Sequence, residues 1–136
     1  MSKADTQVQN YMTKDIQTIG DEQPMLMVHR LMRQEHVRHL PVLHQGKLVG
    51  MVSDRDLNLF ESLSTVDPKL VAVSEAMTDA YVVAPETPLD EVVGMMGEKK
   101  YDAAVVCDDH HKVVGIFTTV DVCNAFAALL RSRASA

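Results

Sequence analysis

Two short stretches hold the residues best suited to recognising a small polar molecule. Gly50-Met51-Val52-Ser53-Asp54-Arg55-Asp56 ends an apolar run at a Ser and sets an Asp three positions later, and Gly115-Ile116-Phe117-Thr118-Thr119-Val120-Asp121 repeats the pattern 65 positions on. A Ser or Thr where a strand turns into a helix stands beside the first backbone N–H groups of that helix, which lack intrahelical partners. A phosphate can accept hydrogen bonds there, helped by the helix dipole and the hydroxyl. An Asp one turn further in would repel a phosphate, so its fitting partner is a pair of neutral hydroxyls such as those of a ribose. Arg55 adds a cation for a charge-assisted bond to phosphate; the second copy has Val120 in its place.

The same spacing serves a purely structural purpose. Ser53-x-x-Asp56 and Thr118-x-x-Asp121 both satisfy the capping-box pattern, with Asp in place of the preferred Glu or Gln. From spacing alone the cap is the commoner explanation, because almost every helix needs one and few need a ligand. The two readings are compatible, since a preformed helix start is what an anion site requires.

The elements that must position these residues also come in pairs. Tyr11-Met12-Thr13 is answered by Ala76-Met77-Thr78, again 65 positions apart. Short strands are expected at Gln17-Thr18-Ile19 and Val82-Val83-Ala84, each followed by an acidic turn and a proline, Pro24 or Pro88, which suits a first helical turn. Met25, Val28 and Met32, widened by Met27 and Leu31, and Leu89, Val92, Val93 and Met96 follow helical spacing and predict core faces. Strand pairs follow at Leu40 to Leu43 with Leu48 to Val52, turning at Gly46 with a positive φ, and at Ala103 to Cys107 with Val113 to Phe117. Final helices are predicted from about Asp54 to Leu63 and about Val120 to Arg131, with Leu57 and Phe60, then Cys123, Phe126 and Leu130, facing inward. Each half reads β-α-β-β-α, an α/β (α+β) fold, and the two halves are expected to pack as a pseudo-twofold pair because each alone would be marginal. The boundaries are 8–63 for the first repeat, 64–72 for a polar linker closed by Pro68, and 73–131 for the second. Residues 1 to about 7 are polar and expected to fray.

Composition narrows the function. With 136 residues, 46% apolar and 24% charged, the chain is of globular type. A net charge of −6 argues against binding duplex nucleic acid, whose affinity comes largely from Lys and Arg on phosphates. Neither a secretion signal nor a membrane-spanning apolar run is evident, so a cytoplasmic protein without membrane contact is expected. Cys107 and Cys123 each close an apolar run and are read as reduced core thiols.

These phrases together resemble a tandem pair of CBS domains (cystathionine-beta-synthase-type), a Bateman module, over about residues 8 to 131. The matching residues are Tyr11-Met12-Thr13, His39-Leu40-Pro41-Val42, Leu48 to Leu57, Met77-Thr78, Pro85-Glu86-Thr87-Pro88-Leu89 and Val114 to Asp121. The duplicated resemblance reverses the preference for a mere cap. It implies a stand-alone regulatory homodimer that senses an adenosine-containing ligand (AMP, ADP, ATP or S-adenosylmethionine, with or without Mg) in clefts between the repeats and acts on an unknown protein. By resemblance, adenine would lie against Thr18, Ile19, His39, Leu40 and Pro41 in one half and Val82, Val83, Ala103 and Ala104 in the other. Ribose would go to Asp56 or Asp121, and phosphate toward Ser53 and Arg55 or Thr118. The second copy has Ala103-Ala104 for Leu40-Pro41, Asp102 for Arg38 and Val120 for Arg55, so the stronger site is expected at Asp56. The alternative is a dimeric interaction scaffold that holds no nucleotide.

No resident cofactor is expected. His36, His39 and His44, with His110 and His111, lack the strict spacings of zinc sites, so no metal site is assigned and exposed turn histidines are expected. No Ser-His-Asp order, nucleophile elbow or P-loop is present, so no catalytic residues are assigned and a non-enzyme is expected.

Overall fold

The chain repeats one arrangement twice: a short strand, a helix, a hairpin and a second helix, built on two three-stranded sheets. The structure, a computed structural model, describes residues 6–63, 65 and 67–134. Residues 1–5 of the expected frayed end, and Ser64 and Val66 of the expected linker, lie outside them.

The first set comprises β1 (Ile19–Gly20), α1 (Met25–Glu35), β2 (His39–His44), β3 (Lys47–Ser53) and α2 (Asp54–Leu63). The second comprises β4 (Val82–Val83), α3 (Leu89–Lys99), β5 (Ala103–Cys107), β6 (Val113–Thr118) and α4 (Thr119–Ala134). In each sheet the two-residue strand runs parallel to the middle strand, which pairs antiparallel with the third. Pro24 and Pro88 stand at the N-caps of α1 and α3, just ahead of the first turn. Both helices stop at a left-handed residue, His36 or Lys100, whose N–H closes onto Met32 or Met96.

The compact units cut across the sequence repeats. One is residues 17–80; the other joins residues 1–16 to 81–136. The opening phrase of each repeat therefore packs in the other repeat's unit. Thr13 pairs with Ile116 of β6 through two backbone bonds of 2.8 and 3.0 Å, and Thr78 pairs with Met51 of β3 through two of 2.8 Å. Val8 and Val73, in one-turn 3-10 helices ahead of these phrases, are fully buried. Close approach is possible because Gly115 and Gly50 lack side chains: a Cβ on Gly50 would stand 2.8 Å from Thr78 O, and one on Gly115 would collide with Met12.

Each unit has its own apolar core. Met25, Val28, Met32, Leu40, Val52 and Leu57 fill one; Leu89, Val92, Met96, Ala104, Val106 and Phe117 fill the other. Each fully buried side chain of Val or Leu size contributes about 1.5–3 kcal/mol of burial free energy. Three expectations are corrected. Met27 is exposed, because it lies off the Met25–Val28–Met32 face. Cys107 is buried but Cys123 is exposed. On α4 the inner face is Asp121, Val122, Ala125 and Leu129, while Phe126 (61% exposed) and Leu130 (50%) point outward with Cys123. That helix is apolar on both sides, so spacing alone admits two faces.

The repeat offset is also not constant. Strand pairing sets His39 opposite Ser53 and Ala103 opposite Thr118. Ser53 and Thr118 are 65 apart but His39 and Ala103 only 64, the extra residue being in the second hairpin turn. Structurally Ala103 answers His39, Ala104 answers Leu40 and Val105 answers Pro41, a one-residue correction to the expected match of Ala103-Ala104 with Leu40-Pro41. That turn is held by Asp108, whose carboxylate accepts from the N–H groups of Lys112 and His110, which lower its pKa.

Candidate functional site

In the 17–80 unit the hairpin delivers Ser53 to the start of α2, and the pairing of His39 with Ser53 brings His39 alongside. The capping box is fully made. Ser53 N–H donates to Asp56 Oδ2 at 3.0 Å, and Asp56 N–H donates to Ser53 Oγ at 3.1 Å. The other early amides are also engaged: Asp54 N–H donates to Arg38 O at 3.0 Å and Arg55 N–H to Asp54 Oδ1 at 2.8 Å. The helix amides expected to seat a phosphate are thus engaged within the protein. Arg55, exposed, is the remaining phosphate-compatible group expected there. Asp56 is half-buried, and among the described residues only its Oδ2 takes part in a hydrogen bond.

The other unit makes one half of this cap: its Asp accepts from the Thr N–H as Asp56 does from Ser53, but the Thr hydroxyl donates to that same carboxylate instead of receiving a helix N–H. Thr118 N–H and Oγ1 donate to Asp121 Oδ2 at 2.9 and 3.3 Å, and Thr13 Oγ1 donates to Oδ1 at 3.0 Å. Asp121 is only 9% exposed. Thr13 closes a repeated phrase in the sequence but carried no assigned role; only the exchange of opening segments brings it here.

The expected adenine-lining residues divide by exposure. Thr18 and His39 are half-buried, Ile19, Pro41 and Val83 are buried, and Val82 is exposed. Leu40, Ala103 and Ala104 are fully buried and present no surface to a ligand. Pro41 distinguishes the two units further. Its counterpart Val105 donates its N–H to Tyr81 O at 2.8 Å. Proline has no N–H to give, so β2 cannot pin the corresponding carbonyl of Gln17 in this way.

Two other features lie outside these constellations. His44 Nδ1 stands 3.1 Å from both carboxylate oxygens of Asp21, with Glu22 completing a group whose ligand atoms lie within 4.8 Å of one another. The acidic residues come from the turn after β1, so histidine spacing could not reveal them. A cavity of about 590 Å³ lies between α3 and α4, lined by Leu89, Val93, Val122, Ala125, Phe126 and Leu129 among others. It is mostly apolar, with Thr6 and Asp90 as its polar lining residues. No helix among the described residues is long and apolar enough to cross a membrane.

Two sheet-and-helix units, each with a Ser or Thr bonded to an Asp at a helix start, define a duplicated α/β module. A family model of the CBS domain matches residues 8–60 and 73–128, and the chain belongs to that family. It is similar to the inosine-5'-monophosphate dehydrogenase of Korarchaeum cryptofilum, 30% identical over 123 residues, which are 90% of this chain and 25% of that enzyme. The chain thus spans about a quarter of that relative's length. Among solved structures it resembles the CBS domain pair of protein MJ0100 in complex with 5'-methylthioadenosine and S-adenosyl-L-methionine (TM-score 0.79, 26% identity, 90% of this chain and 97% of that one). It also resembles CBSX2 in complex with AMP (TM-score 0.77, 27% identity, 90% and 97%).

Proposed function

We propose that this chain is a regulatory, non-catalytic module of two CBS repeats, 8–63 and 73–131 joined by 64–72, that binds an adenosine-containing ligand. The candidates are AMP, ADP, ATP and S-adenosylmethionine, with or without Mg, sensed in the cytoplasm on behalf of an unidentified protein partner. The observation that carries this reading is the Asp56 carboxylate, fixed at the start of α2 by one oxygen and able to receive a ribose diol with the other. Thr18, His39 and the unpinned backbone before β1 supply polar groups for adenine, and Arg55 the cation for a phosphate. The adenosine compounds bound by MJ0100 and CBSX2 support the ligand class.

A thermal-shift panel with AMP, ADP, ATP, NAD and S-adenosylmethionine tests it, because a ligand at 100 times its Kd adds about 2.7 kcal/mol to stability. Calorimetry with the active compound should show at least about tenfold weaker binding in Asp56→Asn, about 1.4 kcal/mol. Silence from every compound at millimolar concentration would sink the reading. A second reading, a homodimeric interaction scaffold, is favoured by the exposed Cys123–Phe126–Leu130 side of α4 and the apolar cavity beside it. It would stand alone if no ligand bound.

A further inference from the structure

We propose that Thr13 is an internal competitor for the ribose-binding carboxylate of the second repeat, so that the chain binds one ligand, at Asp56, and keeps the Asp121 position closed. The inference rests on the ligand reading above and adds the stoichiometry and the residue that sets it.

Asp56 and Asp121 occupy equivalent places, yet their free capacity differs. A ribose diol needs carboxylate oxygens that it can reach. Asp121 accepts three hydrogen bonds from the protein, including Thr13 Oγ1 on Oδ1 at 3.0 Å, and is 9% exposed. Asp56 accepts one among the described residues and is half-buried. Thr13 is exposed but anchored. Its backbone is bonded both ways to Ile116, and Met12 beside it fills the space over Gly115.

The same device exists, unarmed, in the other unit. Thr78 holds the position equivalent to Thr13 and makes the same two backbone bonds, to Met51. Its hydroxyl turns to Met51 O at 3.4 Å and leaves Asp56 alone. Two hydroxyls thus separate the closed carboxylate from the open one, Thr118 Oγ1 on Oδ2 and Thr13 Oγ1 on Oδ1, and it is Thr13 that holds the oxygen whose counterpart in Asp56 accepts no hydrogen bond among the described residues. A hydrogen bond to a charged acceptor is strong enough that displacing it should weaken ribose binding by about tenfold or more.

The test is calorimetric stoichiometry with whichever panel nucleotide gives the largest thermal shift. The wild-type chain should bind one equivalent and Thr13→Val, which keeps the shape and removes the hydroxyl, should bind two. Thr13→Ser, which keeps the hydroxyl, and Thr78→Val should stay at one. In Thr13→Val combined with Asp56→Asn, one equivalent should remain, now at Asp121. Two equal sites in the wild type, or one site in a folded Thr13→Val protein, would overturn the proposal while leaving the ligand reading intact. Should Thr13→Val not fold, Thr13→Ala takes its place with the same expected and overturning counts. No heat with any of these proteins overturns both.

Discussion

Cys107 and Cys123 show how one residue type takes two characters from its surroundings. Cys107 ends the central strand of its sheet with 8% of its surface exposed, and burial first, then the charge of Asp108, pushes its thiol pKa up. Less thiolate and less access both slow its reaction with electrophiles. Cys123 sits on the outer side of α4. A disulfide-exchange reagent at pH 8 should therefore react in two phases separated by about tenfold or more in rate, with Cys123→Ser abolishing the fast one. Equal rates would contradict the assignment of buried and exposed faces on α4. The same face shows what spacing could and could not reveal. Ser53, Asp56, Thr118 and Asp121 were legible as paired helix-start residues, because the pattern spans only four adjacent positions. The donor on Asp121 was not, since Thr13 lies 108 positions away in sequence.

At the scale of elements, the repeated phrases located the β-α-β-β-α elements of each half, because apolar period and turn residues act locally, but not the one-turn 3-10 helices at Val8–Asn10 and Val73–Glu75. They could not say which copy of an opening phrase packs on which sheet, as both sheets offer the same glycine. Those glycines now separate by the atoms they face. A Cβ on Gly50 meets a backbone carbonyl, Thr78 O, which moves only if the strand pair moves. A Cβ on Gly115 meets only the Met12 side chain among its nearest contacts, and methionine is adaptable. Gly50→Ala is expected to destabilise by about 1–3 kcal/mol and Gly115→Ala by less. Chemical denaturation measures both. Met12→Ala should recover stability in the Gly115→Ala background, while Met77→Ala should not do so for Gly50→Ala. Equal losses, or rescue of both, would show that the opening segments do not seat as described.

For the molecule as a whole, exchanged segments mean that the two halves of the sequence cannot be separated by cutting between them. A protease site inserted at Thr65 would yield an N-terminal piece carrying residues 1–16 of one unit and a C-terminal piece carrying residues 67–80 of the other. The nicked protein should elute from a sizing column as one species and part only in denaturant. Separation under native conditions would argue that the exchanged strands contribute little. The same exchange sets an order of assembly during synthesis. Residues 17–80 are contiguous and can close as soon as they leave the ribosome. Residues 6–16, made earlier, must wait for β6 and α4, made later, and loop closure over so long a stretch is slow. A segment translated early is thus among the last to find its place, and until then Val8 and Met12 remain exposed to whatever chaperone attends the nascent chain.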